Sequence, residues 1–188
     1  MIAPRKTLWS TPPSAVTHLR RWIPLQPDDC VCDIGCGDGR ILLQWAEQES
    51  RRLLQELFVA VAAESRIMSF IGIDIDDERI EQSNAALELA RKEGRIHANI
   101  SVTFYCGNVL ESLHLLGRAN IFFLYLIPRG LKIIKPLLLQ HKQERLDNKQ
   151  LQVVTYMTRL PGETQMDRAL CQVDHHSGAE WPLYLYNL

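Results

Sequence analysis

The chain has 188 residues, 46% of them hydrophobic and 23% charged, with a formal net charge of −1. That length suits one domain with a real core, and the near-neutral charge excludes a global field that would draw in a polyanion. The longest apolar runs, around 57–63 and 121–127, fall far short of the roughly 20 residues that span a bilayer. Five cysteines, an odd number, point to a reducing compartment, with the cytoplasm as the expected location. Arg5, Lys6, Arg20 and Arg21, with no acid before Asp28, allow a mitochondrial presequence as the alternative. No signal peptide is expected, so the sequon Asn99-Ile100-Ser101 reads as coincidence.

In chain order, Ser14 can cap a helix through Trp22, stopped by Pro24. Residues 30–34 form a first strand, and a helical apolar pattern follows at Ile41, Leu42, Leu43 and Trp45. Residues 70–74 are a second strand ending in acid. A helix over 77–93 follows, with Gly94 placed as its C-cap. Residues 100–105 alternate into a third strand. The nearly continuous apolar run 119–127 marks a strand buried on both faces of a parallel sheet. Pro128 opens a helix to about His141, and residues 151–158 make a fifth strand. The last two strands, 170–174 and 181–186, are separated by too few residues for a crossover and must form an antiparallel hairpin. The first two strands lie far apart, so residues 47–67 are expected to be a helical insertion.

The chemistry concentrates at residues 33–40, DIGCGDGR. An acid closes the first strand, and glycines follow at 35, 37 and 39 before a helix begins. Glycines there allow positive φ and let a ligand lie against the backbone, with helix N–H groups aimed at its anionic end. A dinucleotide fingerprint spaces its last two glycines three apart; here they are two apart, which disfavours a nicotinamide oxidoreductase. At the end of the second strand, GIDID offers Asp74 to a ribose diol, with Asp76 beside it. A D-x-D metal site of a sugar-nucleotide transferase is the competing reading, and acids at a helix N-terminus the plain one. After the third strand comes CGNVLE, in which Asn108 can accept from and donate to an adenine edge or simply make a turn. FFLYLIP, residues 122–128, puts Tyr125 and its neighbours at the carboxyl end of the central strand, where ligands of such sheets sit. Cys30, Cys32 and Cys36 lack C-x-x-C spacing and read as core thiols rather than metal ligands.

The D-x-G-x-G-x-G of residues 33–39 resembles motif I of class I, seven-strand S-adenosylmethionine-dependent methyltransferases. WSTPPSAV (residues 9–16) and V-x-x-x-T-R-L-P-G (154–162) resemble segments of small protein-lysine methyltransferases of the ATP-synthase-subunit-c type. The resemblance implies an α/β, Rossmann-like seven-stranded sheet, mostly parallel with a C-terminal antiparallel hairpin, in one domain over 1–188. In it residues 1–25 would cover the cofactor. It implies S-adenosyl-L-methionine as cofactor, bound through Asp33, Gly35, Cys36, Gly37, Asp74, Ile75, Asn108, Val109, Tyr125, Trp9 and Thr11. The family has Gly-Asp where this chain has Gly107-Asn108.

The expected reaction is methyl transfer to an acceptor, a protein lysine on the subgroup resemblance, with Tyr125 as the candidate catalytic residue and no metal. An RNA or small-molecule acceptor is the alternative, and a non-catalytic partner protein of the same fold the second. A protein substrate is favoured over nucleic acid because YLIP, residues 125–128, stands where a nucleobase acceptor loop of the N-P-P-Y kind would be. The Lys/Arg-rich stretch 129–149 reads as a solvated helix face or a contact for an acidic partner or RNA. His175-His176 reads as a solvated turn.

Overall fold

The computed structural model describes residues 11–57, 67–147, 149–172 and 179–188. Its centre is a 7-stranded sheet in the order β3-β2-β1-β4-β5-β7-β6. The strands are β1 (Cys30–Ile34), β2 (Met68–Asp74), β3 (Ile100–Cys106), β4 (Ile121–Leu124), β5 (Gln152–Tyr156), β6 (Asp167–Gln172) and β7 (Glu180–Asn187). The pairs from β3 to β5 are parallel, and β7 runs antiparallel to both β5 and β6. The expected seven-strand, mostly parallel architecture with a terminal hairpin is therefore present.

Helices cover the two faces unequally. Helices α1 (Ser14–Trp22), α2 (Arg40–Leu57) and α3 (Asp77–Lys92) lie on one face, over a core that includes Val31, Phe70, Phe104, Phe123, Val154 and Tyr156. On the other, α4 (Pro128–Glu144) and a short 3-10 turn at Leu113–Leu116 cover Cys32, Ile34, Phe122, Leu124 and Val153. Alternate residues of β1 and β4 thus enter different cores, as a strand buried on both sides requires. Between β1 and β4 the chain order reverses direction across the sheet, which opens a crevice at the carboxyl ends of the strands.

Several boundaries move for identifiable reasons. Pro13 is the N-cap of α1, with φ −54°, and no side chain caps the helix. Ser14 is the first helical residue, and its hydroxyl donates to the Gln172 carbonyl at 3.4 Å instead. The proline ring fixes a helical φ one residue early. The apolar run 119–127 supplies only four strand residues. Ile127 is held extended before Pro128, and the chain then turns into α4. Helix α4 continues past His141 to Glu144 with Pro136 inside it. β5 stops at Tyr156 because Met157 adopts φ 65°, a region that disfavours continued pairing. β6 starts three residues earlier than expected, and His175-His176 lies outside the described residues. Of the expected insertion, residues 47–57 continue α2 without a break, and 58–66 lie outside the described residues. Among the described residues no helix is long and apolar enough to cross a membrane.

Candidate functional site

All three glycines of the loop after β1 have positive φ, 83° at Gly35, 57° at Gly37 and 70° at Gly39. The loop is tied to β2 and closed on itself by the Gly39 amide, which donates to the Cys36 carbonyl at 3.0 Å. The amides of Gly35 and Cys36 both donate to the Ile73 carbonyl, at 2.8 and 3.1 Å. The Gly37 amide donates to Asp74 Oδ2 at 2.8 Å. The other Asp74 oxygen accepts from the Asp76 amide at 3.0 Å, and the Ser83 hydroxyl of α3 donates to the Gly37 carbonyl at 3.1 Å. Asp76 in turn caps α3 by accepting from the Arg79 amide, the role expected of an acid at a helix start.

Close packing fixes the loop from the side. A Cβ on Gly39 would stand 2.6 Å from the Phe104 ring, and one on Gly72 would stand 2.4 Å from it and 3.0 Å from the Cys36 sulfur. The Phe104 ring of β3 therefore packs against two glycines, one from the loop and one from β2. No larger residue fits either position without moving that ring.

This framework shapes a cleft lined by Thr11, Asp33, Gly35, Cys36, Gly37, Asp38, Arg40, Ile41, Phe123 and Tyr125. Asp33 is 4% exposed. Burial, and then the charge of Asp74, push its carboxyl pKa up to about 8. No described residue donates a hydrogen bond to that carboxyl, so a cation entering the cleft would meet an acid with unused acceptor capacity. Asp38 and Arg40 pair with each other at the mouth, and that pairing raises the Arg40 pKa. Burial, followed by the charges of Asp33 and Asp74, pushes the Cys36 thiol far above its ordinary range. Cys36 is thus a neutral wall residue and no nucleophile.

Tyr125 forms the opposite wall. Its hydroxyl donates to the Met157 sulfur at 3.0 Å, and its ring meets Tyr156 edge-on at 5.0 Å between centroids. Trp181 continues the aromatic row, 6.2 Å from Tyr156. Among the described residues no cluster of His, Cys, Asp or Glu could hold a metal ion. Cys30 and Cys32 are buried core thiols.

The sequence-derived residues fall into two groups. Asp33, Gly35, Cys36, Gly37, Thr11 and Tyr125 line one cleft, and Asp74 joins them through the Gly37 amide. Ile75, Asn108 and Val109 sit beyond it, where β2 and β3 end. Ile75 is exposed, whereas Val109 is 6% exposed in the α4-side core and Leu110 beside it is 45% exposed. Asn108 is engaged locally: its amide nitrogen donates to Glu111 at 2.8 Å and its oxygen accepts from the Leu110 amide at 3.1 Å. Trp9 lies outside the described residues. Sequence reasoning passed over Met157, whose left-handed backbone nothing in its residue type signals. It also passed over Phe104, whose bulk facing two glycines becomes visible only in the strand register.

No family model matches the chain. It is 26% identical over 126 residues to a protein-lysine N-methyltransferase of Saccharolobus islandicus, an alignment covering 67% of this chain and 63% of that protein. It is 31% identical over 117 residues to a histone-lysine N-methyltransferase, H3 lysine-79 specific, of Dictyostelium discoideum, covering 58% of this chain. The chain thus spans 63% and 5% of the lengths of these curated relatives. Among solved structures it resembles an RNA methyltransferase of Salinibacter ruber in complex with S-adenosyl-L-homocysteine. The TM-score is 0.63 at 17% identity, covering 95% of this chain and 93% of that one. It also resembles the rRNA methyltransferase AviRa of Streptomyces viridochromogenes, with a TM-score of 0.60 at 13% identity, covering 99% of this chain and 88% of that one. The fold is that of the class I, seven-strand S-adenosylmethionine-dependent methyltransferases.

Proposed function

We propose that this protein is a methyltransferase that uses S-adenosyl-L-methionine and that its acceptor is a lysine side chain of a protein. One observation carries the cofactor reading. A left-handed glycine loop is clamped to the acid at the end of β2, beside a buried carboxyl that receives no hydrogen bond from the described residues. That set suits a ligand with an ammonium at one end and a ribose diol in its middle. The Gly35 and Gly37 backbone and Asp33 would hold the methionine end. Asp74 would take the ribose, since each of its oxygens accepts one amide and keeps further acceptor capacity. Ile75, Val109 and Leu110 would flank the adenine, with Asn108 at its edge. Thr11 lines the cleft, which supports reading residues 1–25 as a cover within a single methyltransferase domain.

The cofactor supplies an electrophilic methyl on a positively charged sulfur. The protein's task is to hold the acceptor in line and dry. A lysine ammonium with a pKa near 10.4 must lose a proton first, at a cost of about 4.6 kcal/mol at neutral pH. The row Tyr125, Tyr156 and Trp181 supports this step. The Tyr125 ring lines the cleft and can meet the arriving ammonium, while buried Tyr156 stands behind it and the exclusion of water lowers the ammonium pKa. Tyr125, its hydroxyl fixed by Met157, is the residue that would touch the amine. Both curated relatives are named lysine methyltransferases, which supports the acceptor.

The test combines calorimetry with S-adenosylhomocysteine and transfer of radiolabelled methyl to protein and RNA fractions. Micromolar binding that Asp74→Ala abolishes, with label in protein lysine, is expected. A tenfold or greater loss of kcat in Tyr125→Phe at unchanged affinity for the homocysteine compound would place the phenol at the acceptor. Label in RNA overturns the acceptor, and absence of binding favours a non-catalytic partner protein.

A further inference from the structure

Among the described residues, Asp28 and Met157 alone combine a side chain with a positive φ, 71° and 65°. An aspartate tolerates that region through its short polar side chain, and a methionine has no such excuse. The Thr158 amide donates to the Tyr156 carbonyl at 2.8 Å, so Tyr156–Thr158 make a three-residue γ-turn of the rarer, strained hand, with Met157 at its centre. Two further bonds pin the turn. The Met157 amide donates to the Pro182 carbonyl of β7 at 2.7 Å, and the Thr155 hydroxyl donates to the Thr158 carbonyl at 2.6 Å. A glycine would take this backbone freely. Strain of this kind persists only where the surroundings over-determine it, and it clusters at functional sites.

The turn delivers a thioether to the wall of the cleft. Met157 is half-buried and packs against the core on the side of the sheet that holds α1, α2 and α3. Its sulfur receives the Tyr125 hydroxyl at 3.0 Å. Tyr125 lines the cleft, and its ring is braced edge-on by Tyr156, the residue before Met157. Packing alone does not call for sulfur, since a leucine has nearly the same volume. The difference lies in hydrogen bonding. A thioether accepts and has nothing to donate, whereas a phenol can do either. In this contact the phenol is the donor, so its proton points at sulfur and its oxygen keeps lone pairs for an incoming N–H.

We infer that Met157 is a positioning residue: it fixes the direction of the Tyr125 hydroxyl, so that the phenol accepts from the acceptor lysine instead of donating to it. This rests on the lysine reading above. The direction matters because of where the amine keeps its electrons. Once the ammonium has given its proton to solvent, the nitrogen lone pair forms the N–C bond as the C–S bond breaks. Sulfur keeps the electron pair of the broken bond, and the positive charge passes from sulfur to nitrogen. A phenol that donated to the amine would occupy the lone pair that has to attack. A phenol that accepts one of its N–H groups leaves that pair free and holds it in line. The accepted bond also strengthens as charge grows on nitrogen.

The test compares wild type with Met157→Leu, Met157→Gly, Tyr125→Phe and Met157→Leu/Tyr125→Phe. Calorimetry gives the affinity for S-adenosylhomocysteine, and a pool of peptides with one central lysine each gives kcat and KM for its fastest-methylated member. In the S-adenosylhomocysteine complex, 13C NMR of ring-labelled tyrosine follows the Tyr125 phenol carbon, assigned by its absence in Tyr125→Phe. Met157→Leu is expected to lower kcat about fivefold, to leave KM and the affinity within about twofold, and to move the Tyr125 resonance. Met157→Gly, which takes φ 65° without strain, should show the same loss of kcat. In the Tyr125→Phe background Met157→Leu should cost nothing more, because the group it acts through is gone. A wild-type kcat in Met157→Leu, or an unmoved Tyr125 resonance, overturns the proposal and leaves the lysine reading standing. Equal losses in both backgrounds, or a loss of affinity in step with kcat, reduce Met157 to packing and overturn it as well. Wild-type protein that binds S-adenosylhomocysteine and methylates no lysine in the pool overturns the lysine reading and this role with it.

Discussion

Asp74 Oδ2 accepts a hydrogen bond from the Gly37 amide at 2.8 Å, joining the end of β2 to the middle of the glycine loop across 37 residues of sequence. The acid expected to read a ligand is therefore also the acid that shapes the loop. Removing it leaves the buried Gly37 amide unpaired, which costs about 1–3 kcal/mol. Asp74→Ala should lower the unfolding free energy by that amount and abolish binding of S-adenosylhomocysteine. Asp74→Asn keeps one carbonyl oxygen for Gly37 but turns an NH2 toward the Asp76 amide from which Oδ1 accepts, so it should lose less stability than Asp74→Ala while still binding weakly. Urea unfolding alongside calorimetry separates the two functions, and equal stability of the two variants would show that the loop does not need this contact.

Asp33 gives the site a pH dependence of definite sign. Its folded pKa of about 8 lies above the ordinary carboxylate value of 3.8, so between those values the folded state binds more protons than the unfolded one. Stability then falls as pH rises through that window. Asp33→Asn should remove the slope and be more stable than wild type at pH 8 by thermal melting. A bound ammonium beside Asp33 favours the carboxylate. Binding of S-adenosylhomocysteine should therefore release a proton from Asp33 and tighten as pH rises toward 8, a trend Asp33→Asn should lack. Calorimetry in two buffers of different ionisation enthalpy measures the proton, and an identical heat in both would contradict the assignment.

Phe104 couples the loop to the sheet. Gly72→Ala sets a Cβ 2.4 Å from its ring and 3.0 Å from the Cys36 sulfur, overpacking that typically costs about 1–3 kcal/mol. Phe104→Leu alone opens space and is also destabilising. Together the two changes should be less costly than their sum, because the smaller side chain yields the room the new Cβ needs. A double-mutant cycle by denaturant unfolding checks this. Gly39→Ala should not be rescued in the same way, since its φ of 70° adds backbone strain that no change in Phe104 relieves.

Much of this architecture was legible before any coordinates. The bounds of β1 and α1 follow from apolar pattern and proline placement, and the terminal hairpin from a connection too short for a crossover. The glycine loop and Asp74 were legible because their chemistry requires particular residue types. What stayed hidden depends on long-range contacts. Ser14 looked like a cap, yet the Pro13 ring starts the helix first and frees that hydroxyl for Gln172. The fifth strand looked longer because nothing in a methionine announces φ 65° at position 157. Tyr184 gathering Arg159 and Arg168 requires the β5-β7-β6 order, which no local pattern encodes.

Asn108 stands where the resemblance in sequence implies an acid, and its side chain is already spent within its own turn. The amide nitrogen donates to Glu111 and the oxygen accepts from Leu110. To donate to an adenine ring nitrogen it would have to release Glu111. An aspartate keeps the acceptor for the Leu110 amide and presents a second oxygen that cannot bond to Glu111, leaving it for the adenine amine. Asn108→Asp should therefore tighten S-adenosylhomocysteine binding severalfold, with a small loss of stability from placing a second acid near Glu111. Asn108→Ala removes the turn bond and should cost about 1 kcal/mol of stability with less than a fivefold change in affinity. The two variants thus differ in affinity, while both lose stability. Calorimetry and thermal melting on both variants decide whether residue 108 builds the turn alone or also reads the base; weaker binding by Asn108→Asp than by Asn108→Ala would assign the adenine edge to the amide as it stands.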